Sequence, residues 1–278
     1  MTQSPPVVLT IAGFDPSSGA GVTADIKTIA AHGCYGVACI TGLTVQSTAG
    51  VRRVEVVSAD LVAETLKELA SDIEISAVHI GMLGSGEVVR AVGEFLKKSQ
   101  LPNVVLDPIV KSSSGTDLID AGGALLLIEY LFPLATVITP NVDEAAAMTG
   151  LAVTNLEQMR VAAAALHTMG AACVVITGGH LEKAIELLSF TGRRGVEQEV
   201  FKSDRQISNS THGTGCAFAT AMACHLARGR GLPEAVLLAK AYVSAAIANA
   251  HPLGHGIGPV HHLYRMYQQR RVVINDPT

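Results

Sequence analysis

Short apolar runs alternate with helix-spaced segments from one end of this chain to the other. That alternation limits it to a mostly parallel sheet with helices on both faces, a three-layer α/β architecture. Residues 7–12 read as a strand and 19–31 as a helix, followed by a strand at 36–41 and a turn-rich β excursion over 44–57. Helices are predicted at 59–69, 86–97, 122–130, 141–148 and 155–167, with strands at 77–80, 104–106, 137–139 and 173–176. Segments 187–190 and 196–202 read as a hairpin, and helices over about 213–227 and 233–250 close the pattern. No low-complexity linker or repeat divides the chain, so one domain over 1–278 is expected, with 1–6 and 268–278 poorly ordered.

Composition excludes several classes. With 20 basic and 24 acidic residues the formal net charge is −4, and basic residues cluster only as pairs such as Arg52-Arg53. With no tryptophan and little aromatic surface, a nucleic-acid partner is not expected. Mean hydropathy of +0.37 invites a membrane reading. Glu129, Pro133, Glu234 and Lys240 interrupt the apolar runs, however, and none reaches 18 clean residues. The polar start, Met1 to Pro6, carries no signal-peptide pattern, so a cytoplasmic protein without a membrane partner is expected. The cysteines at 34, 39, 173, 216 and 224 are odd in number with no CxxC spacing, which favours reduced thiols over a disulfide or zinc framework.

In sheets of this kind ligands bind beyond the carboxyl ends of the strands, so residues just after each strand carry the function. Thr211-His212-Gly213-Thr214-Gly215-Cys216 leads straight into a helix of small residues. Its glycines let successive N–H groups face one concavity, and the helix dipole adds positive charge there, which makes an anion socket suited to phosphate. A thiol at that rim is expected to have its thiolate stabilised, which favours a nucleophile or general base over an inert core cysteine at Cys216. The other four cysteines read as core.

The loop 13–21 also opens a helix, and Gly19, Gly21 and Ala24 fit GxGxxA. A dinucleotide site would want an acid about 20 residues on. After Asp25 the next acid is Glu55, beyond a second loop. The P-loop pattern is missing, because no Gly-Lys pair occurs. Asp25 reads equally as a cleft carboxylate or as an acid at a helix N-terminus. Gln46 carries an amide able to read a heterocycle edge, although loop glutamines are usually just solvated. Asp107 and Asn141-x-x-Glu144 end strands in an apolar chain. They suit either water-mediated Mg²⁺ or, for the second pair, a helix capping box, and the two roles are compatible. The histidine-rich tail 251–262 is interrupted by glycines and lacks paired helical ligand spacing.

Taken in order, these segments resemble the hydroxymethylpyrimidine/phosphomethylpyrimidine kinases of thiamine biosynthesis, members of the ribokinase-like superfamily. The resemblance runs over nearly the whole chain: residues 11–21, Ala24-Asp25-Ile26-Lys27-Thr28, Val45-Gln46-Ser47-Thr48, Gly81-Met82-Leu83, Asp107-Pro108, Thr139-Pro140-Asn141 with Glu144, Gly178-Gly179-His180, 212–216 and 256–262. It implies ATP-dependent phosphorylation of 4-amino-5-hydroxymethyl-2-methylpyrimidine, and then of its monophosphate to the diphosphate. It implies a pyrimidine lying among Gly13, Asp25, Gln46, Met82, Ile109 and Cys216. Gly213, Thr214, Gly215 and Cys216 would form the anion hole of an in-line transfer, with Cys216 beside the attacking hydroxyl. Asn141, Glu144, Thr177, Gly179 and Thr214 would serve the nucleotide, and Asp107 and Glu144 would arrange the water shell of Mg²⁺. A homodimer, with an interface around 41–54, and assistance by K⁺ belong to the same expectation.

Two departures stand out. Many relatives carry lysine where this chain has Thr177, and segment 181–190 lacks the usual aspartate near its hairpin. Lys111 and Lys183 are the candidate substitutes for the missing cation. The alternatives are a pyridoxal kinase of the same fold and a non-catalytic pyrimidine-binding relative.

Overall fold

A computed structural model of the chain describes residues 4–112, 115–120, 122–179, 181, 183–192 and 195–266. The segment expected to be poorly ordered at 268–278, residues 1–3 of the other end, and His180 of the Gly-Gly-His motif lie outside the described residues.

The strands are β1 (Val7–Phe14), β2 (Tyr35–Ser47), β3 (Gly50–Val56), β4 (Ala77–Ile80), β5 (Val104–Leu106), β6 (Val137–Ile138), β7 (Cys173–Gly178), β8 (Ala184–Gly192) and β9 (Gly195–Ser203). The helices are α1 (Gly21–Ala31), α2 (Ala59–Asp72), α3 (Gly86–Ser99), α4 (Gly123–Leu126), α5 (Val142–Thr149), α6 (Leu156–Thr168), α7 (Thr214–Ala227) and α8 (Leu232–Ala248). The strands form a single sheet in the order β3-β2-β1-β4-β5-β6-β7-β8-β9. Pairing is parallel from β2 through β7 and antiparallel at both edges, β2 with β3 and β7 with β8 and β9.

The interior strands are short continuous apolar runs because both of their faces are covered. Alternate residues serve opposite layers. Leu9, Ile11, Val78, Ile80 and Leu106 pack against α2, α3, α5 and α6, whereas Val8, Ala77, Val105 and Val137 pack against α1, α7 and α8. Each such Leu or Ile contributes on the order of 1.5–3 kcal/mol by leaving water. α7 is buried almost all round, which explains its small-residue sequence: Ala217, Ala219, Ala221 and Ala223 let it lie directly on the sheet.

Two expectations change. The turn-rich stretch 44–57 is a hairpin, with β2 running on to Ser47 and pairing with β3 from Gly42↔Val56 to Ser47↔Gly50, with a shift of register between Val45 and Gln46. The helix expected over 122–130 is α-helical only in α4. It widens to a π turn over Leu127–Leu131 and tightens to a 3₁₀ turn at Phe132–Leu134, where Pro133 supplies no N–H donor.

Candidate active site

Two helix N-termini meet at the carboxyl end of the central strands. α1 starts at Gly21 and α7 at Thr214, and their entry loops are in direct contact. A Cβ on Gly213 would stand 1.8 Å from the carbonyl oxygen of Gly19, and Gly213 has φ of +81°, so only glycine closes this junction. The first i→i−4 bond of α7 runs from Ala217 to Gly213 at 2.9 Å, which leaves the N–H groups of Gly215 and Cys216 without an intrahelical acceptor. These groups and the dipole behind them are the donors that the expected anion socket would use.

The opposite wall is polar. Asp15, on the loop after β1, is almost fully buried. One carboxylate oxygen accepts Ser17 N (2.8 Å) and Ser17 Oγ (2.7 Å); the other accepts Gly19 N (3.2 Å), Ala20 N (2.9 Å) and His212 Nε2 (2.9 Å). Burial pulls its pKa upward, but the bonds from His212, Ser17 and Ala20 outweigh that and hold it below the usual carboxylate value. His212 Nε2 also lies 3.2 Å from Gln46 Nε2, which brings the glutamine to the socket's edge.

The apolar floor lies between these walls. Met82 is buried against β1 and β2. Cβ atoms added at Gly13 and Gly42 would stand 3.0 Å from its Sδ and 3.2 Å from its Cε, respectively. Ile109 Cδ1 borders Gly81 beside it.

Beneath the floor is a buried set of titratable groups. Asp25 is fully buried and accepts Thr10 Oγ1 (2.6 Å) and Thr220 Oγ1 (2.8 Å), with His79 Nδ1 at 3.2 Å. It is neither a surface helix acid nor an unpartnered cleft carboxylate. It joins β1, β4, α1 and α7. Burial lowers the pKa of His79, but Asp25, and then Asp107, more than reverse this. Asp107 itself is pushed well above its usual value, first by burial and then by Glu144.

Cys216 lies beside this set, and its expected state is corrected. Burial, and then the negative charge of Asp107 and Asp25, push its thiol well above the ordinary value, against the favourable N–H of Gly21. The helix-end dipole is too weak to stabilise a thiolate in a dry site surrounded by carboxylates, so the resting group is a thiol.

The nucleotide-side candidates cluster at the ends of β6 and β7. Asn141 caps α5 in a full capping box: its Oδ1 accepts Asp143 N and Glu144 N, each at 2.9 Å, while Glu144 Oε2 accepts Asn141 N at 2.9 Å. Burial raises Glu144 to about 7. Thr177 N donates to Pro140 O at 2.9 Å, placing it next to Asn141. Space is open around the Cα of Gly179. Lys111 is paired with Asp117 on the exposed surface (3.5 Å), and Lys183 is exposed. Lys240 of α8 is ion-paired to Glu186, the residue opposite Thr177 in the β7–β8 register.

Among the described residues, no group of three or more His, Cys, Asp or Glu side chains is placed to hold a metal directly. Asp107 and Glu144 both carry raised pKa values in a carboxylate-rich pocket. Burial thus disfavours the ionised form of both acids, and a divalent ion retaining its own waters is the partner that would favour it.

Sequence reasoning reaches Asp15 and His212 only as motif letters and misses His79, Thr10 and Thr220. A buried carboxylate at the start of a loop that closes on its own N–H groups is the available signal for Asp15. The partners of Asp25 are separated along the chain and leave no local trace. The histidine tail is a strap. Gly258 O accepts His212 N (3.0 Å), and Ile257 N donates to Thr48 O (3.0 Å), joining the socket to the β2–β3 turn.

Residues 15–261 match the family model described as phosphomethylpyrimidine kinase. A thiamine biosynthesis bifunctional protein of Geobacter sulfurreducens is 43% identical over 258 residues, covering 92% of this chain; the chain spans about half (52%) of that protein's length. The hydroxymethylpyrimidine/phosphomethylpyrimidine kinase of Streptomyces coelicolor is 41% identical, with 93% of this chain and 95% of that protein covered. Among solved structures, an ADP complex of Bacillus subtilis pyridoxal kinase superposes with a TM-score of 0.85 at 34% identity, covering 95% of this chain and all of that one. The phosphomethylpyrimidine kinase of Clostridium difficile 630 superposes with a TM-score of 0.76 at 36% identity, covering 87% and 99%.

Proposed function

Because the chain belongs to the phosphomethylpyrimidine kinase family, we propose that it transfers a phosphoryl group from ATP to 4-amino-5-hydroxymethyl-2-methylpyrimidine, and then to the resulting monophosphate, in thiamine biosynthesis. The observation that carries this reading is the meeting of the α1 and α7 N-termini at Cys216, with Gln46 on the facing wall. An anion receives fixed N–H donors on one side, and a small flat heterocycle finds an amide and the Met82–Ile109 floor on the other. The proposed unit is the whole chain, 1–278, acting as one ribokinase-like domain.

The chemistry is positioning and charge stabilisation. Gln46 reads the aminopyrimidine edge, Met82 and Ile109 hold its faces, and Gly13 permits close backbone approach. Asp25 fixes the floor from below through Thr10 and Thr220. The substrate hydroxyl is directed by the Cys216 thiol toward the γ-phosphorus. The N–H groups of Gly215 and Cys216, presented by the Gly213-Thr214 turn, stabilise the charge that develops on the transferring oxygens. Asn141, Glu144, Thr177, Gly179 and Thr214 border the nucleotide. Asp107 and Glu144 would hold Mg²⁺ through its waters, and the ion would supply charge neutralisation at the phosphates.

The second reading, pyridoxal kinase, is favoured by the superposition on the Bacillus subtilis enzyme at nearly full length. Mass analysis of products from ATP, Mg²⁺ and either hydroxymethylpyrimidine or pyridoxal separates the two. Monophosphate and diphosphate from the pyrimidine, at higher kcat/KM than any pyridoxal phosphate, is the expected result. Transfer to pyridoxal alone overturns the first reading, and binding without ADP release supports a non-catalytic relative. Repeating the assay in sodium and in potassium salts tests K⁺.

A homodimer through the β2–β3 hairpin is part of the same reading, supported by the exposed apolar side chains Leu43 and Val45. Among the described residues no helix is long and apolar enough to cross a membrane. That fits the proposed cytoplasmic site of action.

A further inference from the structure

We propose that the Asp15–His212 pair fixes the orientation of the Gln46 amide and thereby decides which donor–acceptor pattern of a heterocycle the pocket accepts. This rests on the reading of Gln46 as the residue facing the pyrimidine edge.

The placement of each proton follows from its neighbours. Asp15 is held ionised by five hydrogen bonds, so it only accepts. Its oxygen lies 2.9 Å from His212 Nε2, so Nε2 carries a hydrogen. Nε2 then has no lone pair to offer, so the head of Gln46 that lies 3.2 Å away can bond to it only as an acceptor sharing that one hydrogen with Asp15. The other head faces Thr44 Oγ1 at 3.0 Å. Thr44 Oγ1 is equally 3.0 Å from Phe14 O, which can only accept, so a hydroxyl proton given to Phe14 O leaves a lone pair for Gln46. One orientation, reached by a half-turn of the amide, satisfies both neighbours at once, with Oε1 toward His212 and the NH₂ group toward Thr44.

In that orientation the chain uses one lone pair of Oε1 and one hydrogen of the NH₂ group. One of each remains for a ligand. A 4-aminopyrimidine presents a ring-nitrogen acceptor next to an amino donor, which complements the free pair. Held in the same pose by its hydroxymethyl group at Cys216, a 4-oxo ring presents an N–H donor and a carbonyl acceptor in place of these and meets two mismatches. Turning the amide over would reverse the preference.

His212 is built to hold this position. Its ring packs on Gly19 so closely that a Cβ there would stand 2.2 Å from Cδ2, and its N–H is tied to Gly258 O at 3.0 Å. The glycine-rich tail thus clamps His212 and, through the Thr48 contacts, the turn that follows Gln46. His212 and Asp15 are positioning residues, acting on the substrate through Gln46.

The test compares kcat/KM for the 4-amino substrate and its 4-oxo counterpart, 5-hydroxymethyl-2-methylpyrimidin-4-one, in the wild type, His212→Phe, His212→Gln and Gln46→Ala. The wild type is expected to favour the amino compound strongly. His212→Phe, which keeps a ring and loses the donor, is expected to narrow that preference at least tenfold, mainly through KM for the pyrimidine. His212→Gln, which restores an N–H donor, is expected to recover most of it. Each preference is a ratio within one preparation, so loss of folded protein cancels. If Gln46→Ala narrows the preference and His212→Phe does not, the positioning role is overturned and the reading of Gln46 stands. If Gln46→Ala leaves the preference intact, or the wild type has none, the reading of Gln46 fails and the proposal with it.

Discussion

The carboxylate of Asp25 accepts a 2.8 Å hydrogen bond from the hydroxyl of Thr220, and this contact ties together the two helices whose N-termini form the socket. Both residues are fully buried. Thr220→Val leaves one carboxylate lone pair unsatisfied in a dry site and is expected to cost about 1–3 kcal/mol. Asp25→Leu leaves His79 without its counter-charge and is expected to cost more, on the order of 3–5 kcal/mol. Urea unfolding of the two variants checks the order; equal and negligible losses would remove Asp25 as the central tie.

Gly213 and Gly215 are two residues apart, yet their substitutions are predicted to fail differently. Alanine at 213 meets the Gly19 carbonyl oxygen at 1.8 Å at a φ of +81°, so Gly213→Ala is expected to lower the melting temperature or prevent folding. Alanine at 215 meets only Asp107 Oδ2, at 3.7 Å. Gly215→Ala is therefore expected to melt within a few degrees of the wild type while its methyl group obstructs the socket and reduces kcat.

Cys216 is predicted to react slowly with iodoacetamide at pH 7 to 8, because burial and then Asp107 keep it protonated. Cys216→Ala is expected to lower kcat at least tenfold with little change in stability. Turnover near wild type at saturating substrates would remove Cys216 from the transfer step.

Glu144 sets a pH trend for the ligand-free protein. Burial raises its pKa from 4.5 unfolded to about 7 folded, so the folded state favours the protonated acid. That contribution is full below about pH 4.5 and is lost as pH rises through 7. Glu144→Gln keeps an oxygen for the Asn141 N–H and removes the titration. It is expected to stabilise the protein relative to wild type more at pH 8 than at pH 5, by on the order of 1–2 kcal/mol in thermal or urea unfolding. A pH-independent difference would contradict the assignment.

Thr177 lies between Asn141 and Glu186. Thr177→Lys is expected to lower KM for ATP several-fold, by placing a cation beside the nucleotide phosphates. An unchanged or raised KM, measured at fixed pyrimidine, would show that the phosphates do not reach this strand end.

Much of the site was legible because its signals are local. The Asn141–Glu144 capping box needs residues three apart, and the socket at Gly213 to Cys216 needs only a glycine turn entering a helix. The hairpin at the end of β2 was blurred because 44–57 reads as turn-rich, whereas cross-strand pairing with β3 carries β2 through to Ser47. The cysteine at the socket was legible in place but not in charge state. Its pKa depends on Asp107 and Asp25, acids far away in sequence.

The sequence by itself determined the layered α/β plan, the glycine turn that enters α7 and the capping box of α5, because periodicity, glycine turns and capping act over a few residues. Only the tertiary structure decided that Asp25 is a buried tie, that Cys216 rests as a thiol, and that Asp15 reaches Gln46 through His212. Those outcomes depend on burial and on hydrogen bonds between residues nearly 200 positions apart, such as Asp25 with Thr220 (195 apart) and Asp15 with His212 (197 apart). Dielectric environment and proton placement are properties of the packed assembly of helices and sheet.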